Sequence, residues 1–227
     1  MAAFRDALGL IASGDTEVWS ITAVSLFVSL SALLLATLAG VPLGYYLAHA
    51  RSGWTRAASS IVHTLTALPT VVVGLLLYFA LSATGPLGWM DLLYTRVAMI
   101  AGQTVLALPI VAALTLVAIQ RLPPAAFETA RSLGLGPLMR LRVLLREAHA
   151  AVASALLLAF ARVFTELGAA VILGGNIRGE TRTLTTVIAL EHTKGDDARA
   201  LALGLILMII ALAVNAGVHS RWLRKTA

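Results

Sequence analysis

Five long apolar blocks divide this 227-residue chain, at roughly 18–48, 58–83, 95–120, 148–173 and 198–221. Each is long enough to cross a bilayer, which takes about 20 apolar residues in a helix. In lipid only helices and closed barrels satisfy every backbone group. The alternating segments of a barrel wall are missing here. The fold class expected is therefore all-α membrane protein, with about five transmembrane helices. Charge density agrees, since charged residues make up 12% of the chain against about 25% in soluble domains. The first block exceeds what one span needs, so tilt or a helical extension beyond the lipid is expected.

The formal net charge of +6 raises nucleic acid as a partner, but the distribution argues against it. Basic residues sit in short segments between the blocks, and no basic surface is interleaved with aromatics. They read instead as a topology signal. With the N-terminus outside, the inside segments carry ten basic residues (Arg51, Arg56, Arg121, Arg131, Arg140, Arg142, Arg146, Arg221, Arg224 and Lys225) against two acids, Glu128 and Glu147. The outside segments carry six basic residues and eight of the eleven acids. The excess of Lys and Arg favours an N-out, C-in orientation. There is no cysteine, which removes disulfides, thiolate metal sites and thiol catalysis. Residues 1–17 hold one Arg against three acids, and the first block is too long for a signal-peptide core, so no cleavable leader is expected. A single transmembrane domain over 1–227 follows, with a cytoplasmic loop at about 121–146.

That loop has its own punctuation. Pro123 and Pro124 end the third block and suit the first turn of a new helix. Ala125 to Leu133 are good helix formers, Gly134 stands where a C-terminal glycine stops a helix, and Gly136-Pro137 starts another. The expected short helix exposes Phe127 and Leu133 beside Glu128 and Arg131. It is either a rigid knob for a partner's groove or an ordinary surface helix.

Polar residues inside the blocks are the candidates for a path. The second block contains Thr66, Pro69 and Thr70, and the third Gln103 and Pro109. A proline within a span frees a carbonyl that hydroxyls, amides or water must satisfy, so these residues either line a polar path or mend kinks locally. In the fourth block Arg162 and Glu166 stand one turn apart on one face. They form either a structural pair or a charged lining that lends positive potential to an anion path. The segment Gly174-Gly-Asn176-Ile-Arg178-Gly-Glu-Thr-Arg-Thr-Leu-Thr185-Thr186 combines turn-permitting glycines, hydroxyls and Arg, a mix suited to an oxyanion. It is equally consistent with an exposed polar loop. An intramembrane enzyme finds no support, since no H-E-x-x-H or paired-Asp arrangement occurs.

Glu128-Thr129-Ala130-x-x-x-Gly134 resembles the EAA loop of ABC importer permeases, departing from it at Thr129 and in lacking the terminal Pro after Leu144. Further along, Leu68-Pro69-Thr70-Val71-Val72-Val73-Gly74, Gly174-Gly175-Asn176-Ile177 and Thr185-Thr186-x-Ile188 are similar to the tungstate permeases and to the wider molybdate and sulfate group. The likeness runs from Ser13-Gly14-Asp15 to Asn215. It implies a type I importer permease fold in the inner membrane, multi-pass, working as a homodimer. Two cytoplasmic ATPase subunits would dock on Phe127, Glu128, Thr129, Ala130, Arg131, Leu133 and Gly134. An extracytoplasmic binding protein would deliver the oxyanion, and no nucleic acid would be involved. The chain would be no enzyme itself. It lacks a G-x-x-x-x-G-K-[ST] loop, so ATP and Mg would belong to the partner and no cofactor to this chain. The substrate implied is tungstate. The alternatives are a molybdate or sulfate importer permease, or an ATP-independent anion carrier or channel.

Overall fold

The computed structural model describes residues 7, 9, 11, 15–49 and 52–223, with side chains placed as far as residue 216. Among these residues all regular structure is helical. Arg5, Asp6, Ser13, Gly14, Arg51, Arg224 and Lys225, used above, lie outside the described residues, as does the side chain of Arg221.

Two helices form the frame. Helix α1 (Thr16–His49) begins where the Asp15 carboxylate accepts the backbone N–H of Glu17 at 2.7 Å and of Val18 at 3.3 Å. Helices α2 (Gly53–Leu65) and α3 (Thr70–Leu81) follow, and then α4 (Arg96–Gln120), whose start Thr95 caps by accepting the N–H of Ala98. Helices α1 and α4 run side by side and parallel. Val28 clusters with Met99, Ala36 with Ala107, and Ala48 with Ile119. The two helices come close at Gly40 and Gly44, one turn apart, where a Cβ on Gly44 would collide with the Ala112 carbonyl oxygen and one on Gly40 would stand 3.1 Å from that of Leu108. Small residues at this spacing let helices in lipid meet backbone to backbone, and that dispersion contact replaces a hydrophobic driving force absent there.

Parallel neighbours require a return path between them, and that path is broken. Helices α2 and α3 meet at an angle of 100° across residues 66–69, so the second apolar block is not the single straight span its hydropathy suggests. Pro69 explains the break: it supplies no N–H, and it holds the preceding residue out of the helical region. The chain then passes through α5 (Pro124–Ser132) and α6 (Pro137–Glu147), which is bent by 82° from α7 (His149–Phe164). Helix α8 (Gly168–Gly174) continues α7 after a three-residue interruption, so the fourth block also corrects to a broken helix. Last come α9 (Leu184–Lys194) and α10 (Asp197–Leu223). Helix α7 is antiparallel to α4, with Val152 near Ala118 and Val163 near Ala107. Helix α10 starts beside the start of α1, where Arg199 meets Glu17 and Leu203 packs with Val18 and Ile21. The chain thus travels the bundle five times. Among the described residues three helices, Thr16–His49, Arg96–Gln120 and Asp197–Ala216, are long and apolar enough to cross a membrane alone.

Candidate functional site

The two interruptions lie at the same depth and touch. Val73, just after the α2–α3 break, and Ala169, just after the α7–α8 break, both pack on Leu106. Val163, just before the second break, packs on Ala107 and Val111. Leu106 and Ala107 are near the midpoint of α4, so the breaks sit at mid-bundle. Gly168 allows the contact: a Cβ there would stand 2.8 Å from Val71 Cγ2, 3.2 Å from Thr70 Oγ1 and 3.3 Å from Glu166 Oε1.

Arg162 and Glu166 hold this junction. The Arg162 guanidinium donates to Glu166 Oε2 at 2.9 Å, while Glu166 Oε1 accepts the N–H of Ala169 at 3.3 Å. The two charges also answer the helix dipoles. Arg162 sits in the last turn of α7, where the carbonyl end is negative, and Glu166 stands before the positive first turn of α8. Glu166 is therefore not on a continuous helix with Arg162, as the sequence suggests, but just beyond its end. The i,i+4 pairing survives because the turn at Thr165 stays tight, its N–H donating to Ala161 O. Burial is asymmetric: the Glu166 side chain is 4% exposed and that of Arg162 47%. Thr185 joins from α9, its hydroxyl donating to the Glu166 carbonyl at 2.9 Å.

Of the path residues expected from sequence, the fold gathers Thr70, Arg162, Glu166 and Thr185 here, with Pro69 at the edge. Thr66 is exposed and its hydroxyl donates to its own turn, at His63 O. Gln103 is buried inside the bundle and its Oε1 has no partner. Asn176 and Thr186 bond each other, the Thr186 hydroxyl donating to Asn176 Oδ1 at 3.0 Å, and Thr186 is buried. In this arrangement the hydroxyls of Thr181, Thr183 and Thr186 are occupied in shaping their own loop. Thr181 Oγ1 accepts from Ile177 N–H and donates to Gly174 O.

Arg178 stands apart, at one end of the bundle. It donates to Glu17 Oε2 at 2.8 Å, and Arg199 and Arg182 reach the same carboxylate at 2.7 and 3.3 Å. Arg96 Nε and Nη2 donate to the carbonyls of Glu180 and Gly179. Sequence reading missed Glu17 as a hub. Its only local signal is an acid in a first helical turn, and partners more than 160 residues away carry no pattern.

The opposite end carries the short helix foreseen in sequence. Helix α5 starts on Pro124, and Gly134 follows it at φ 61°, the left-handed conformation that ends a helix. Glu128, Thr129, Arg131 and Leu133 are exposed and Ala130 is buried. One expectation is corrected: Phe127 does not point outward. It packs inward against His49, with ring centroids 5.2 Å apart, on the cluster formed by Ile119 and Leu144. The helical period explains this, because Phe127 shares its side with Ala130, and Ala130 meets the bundle. No group of three metal-binding side chains occurs among the described residues.

Residues 40–223 match the family of binding-protein-dependent transport system inner membrane components. The chain belongs to this family. Among its relatives, the tungstate uptake system permease protein TupB of Peptoclostridium acidaminophilum is 37% identical over 96% of this chain and 95% of its own length. The protein of the same name from Campylobacter jejuni is 41% identical over 95% and 90%. A solved bacterial alginate ABC transporter, in complex with its periplasmic protein bound to an alginate pentasaccharide, superposes with a TM-score of 0.72 at 20% identity. That likeness covers 90% of this chain and 78% of the other, and it shows the fold of an ABC importer permease. The protein is thus a multi-pass inner-membrane permease.

Proposed function

We propose that this permease moves tungstate into the cytoplasm by alternating access, as the homodimeric membrane part of an ATP-driven importer. The half-open Arg162 at mid-bundle carries the reading. A guanidinium facing lipid at that depth costs about 3 kcal/mol or more, so such residues turn to a water-filled cavity or a partner. The α2–α3 and α7–α8 breaks lie on the same side, as expected where discontinuous helices line a path. A second copy apposed on this side encloses a hydrated, positively biased channel. A dianion needs one, since burying an unpaired ion costs on the order of tens of kcal/mol. Tungstate is favoured over molybdate and sulfate because the relatives named for tungstate uptake are 37–41% identical over most of the chain.

In this reading residues 1–227 form one domain with the N-terminus outside and the C-terminus inside. The α5 end then faces the cytoplasm, and two ATPase subunits, which hold ATP and Mg, dock on the loop at 121–146 around Glu128. An extracytoplasmic binding protein delivers the anion at the Glu17 end. The test is ATP hydrolysis in proteoliposomes holding this chain, its ATPase and a binding protein loaded with tungstate, molybdate or sulfate. Stimulation by the tungstate-loaded form is expected to exceed the others. Stimulation by sulfate alone overturns the substrate, and hydrolysis indifferent to every loaded form overturns the importer. Replacing Glu128 or Gly134 uncouples hydrolysis from transport and spares anion capture by the binding protein. Full transport in both variants overturns the docking site.

A further inference from the structure

Among the contacts that seat helix α5 on the bundle, one partner residue lies outside the EAA-like segment. Phe127 is the aromatic anchor of α5, and the ring it meets is His49, the last residue of α1, edge-on at 64°. His49 is itself held in place. Its Nδ1 lies 2.9 Å from the Tyr45 carbonyl oxygen, so that nitrogen must carry the proton and donate. Its ring also lies against that of Tyr45, with centroids 4.2 Å apart. The other nitrogen, Nε2, is buried without a partner. Imidazole is therefore used here for its shape and its single anchoring bond rather than as a two-sided hydrogen-bonding group. A second strut comes from α6, where Arg140 Nη2 donates to Leu135 O in the connection between α5 and α6.

The geometry points to His49 as a positioning residue for coupling. Held against Tyr45, it keys Phe127 so that displacement of α5 is passed to α1, the helix in backbone contact with α4 at Gly44 and hence with the mid-bundle breaks. This rests on the proposal that an ATPase docks on α5. The alternative is that α5 merely rests on the bundle and the ring at position 49 is dispensable.

The test uses the complete transporter in proteoliposomes, comparing anions moved per ATP hydrolysed for wild type, His49→Ala, His49→Phe, Phe127→Ala and the His49→Ala/Phe127→Ala double variant. His49→Ala is expected to lower that ratio about fivefold or more, the lower end of usual coupling between sites, while the ATPase still copurifies. The double variant should be no worse than the worse single one, because contacting residues are not additive. His49→Phe, which keeps a flat ring against Phe127, should restore the ratio to within about twofold of wild type, as shape-conserving swaps are tolerated. An unchanged ratio in His49→Ala, or losses that multiply in the double variant, overturns the proposal. If His49→Ala does not fold, His49→Phe against His49→Gln decides: equal ratios in these two overturn it. Failure of the importer reading is distinct, because wild type itself then moves no anion on ATP.

Discussion

The two ends of the bundle are built on opposite plans. At the Glu17 end, three arginines from two segments converge on one carboxylate, Arg96 donates to two loop carbonyls, and Leu184 N–H donates to Ser25 Oγ at 2.7 Å. These bonds join residues far apart in sequence, so the loop at 175–183 is fixed by the chain's own fold. At the α5 end, the side-chain hydrogen bonds of the described residues 124–147 are local, such as Ser132 Oγ donating to Thr129 O. There Leu133, Leu138 and Met139 stand exposed, and two buried nitrogens, His49 Nε2 and Arg140 Nε, have no partner. Both ends expose apolar side chains, Trp89 at the first being 81% exposed; what differs is that the first is tied by long-range polar bonds and the second by local ones.

The largest expected effect is one that ignores this difference. Gly44→Val drives methyl groups onto the Ala112 carbonyl and the Thr115 side chain, both against the backbone of α4. The two long helices cannot separate locally, so we expect a loss of about 3 kcal/mol or more in thermal unfolding, at the upper end for overpacking. Amide exchange should rise at both ends together. A rise confined to one end would mean that α1 and α4 do not hold the two halves as a unit.

Glu17→Ala separates the ends. It leaves three guanidinium groups crowded without their counter-ion, yet Arg178 is 73% exposed and solvated. Most of the cost falls on Arg182 and Arg199, the better buried of the three. We expect a loss of about 1–2 kcal/mol, between the values for exposed pairs and for hydrogen bonds to charged groups. Exchange should quicken at 175–183 and stay unchanged at 124–147. Arg178→Ala should cost less than about 0.5 kcal/mol, as for an exposed pair. A cost for Arg178→Ala equal to that of Glu17→Ala would show the hub to be one pair with two bystanders.

How much of this was legible beforehand follows the same division. The short helix at 124–132, its stop at Gly134 and the restart at Pro137 were written in local punctuation, and local rules read them. The apolar blocks located the passes, but hydropathy averages over a window and so ran across the breaks at 66–69 and 165–167. Pro69 was visible in sequence as a disruption; the 100° angle depends on what α3 packs against, namely Ala169 and Leu106. The i,i+4 spacing of Arg162 and Glu166 foretold their contact but not that a helix ends between them. Gly40-x-x-x-Gly44 was a readable packing signal that went unused. Asn176, Thr185 and Thr186 looked like path residues because their chemistry suits an anion. Only the fold shows their polar atoms spent on one another and on Glu166.

The smallest effect on stability should come from the end held by local bonds. Glu128 and Leu133 are exposed, Leu133 at 66%, and among the described residues neither makes a long-range hydrogen bond. Glu128→Ala and Leu133→Ala remove groups that the isolated permease does not use, so each should leave unfolding within about 0.5 kcal/mol of wild type. Their effect should surface only when an ATPase is added. Copurification of that subunit, or its hydrolysis in the presence of loaded binding protein, should fall although the permease is as stable as before. Leu133→Ala is the sharper of the two, since it removes apolar surface and changes no charge. If it destabilises the isolated chain by more than 1 kcal/mol, Leu133 is internal packing. The contrast between an end tied by long-range bonds and one held locally would then be wrong.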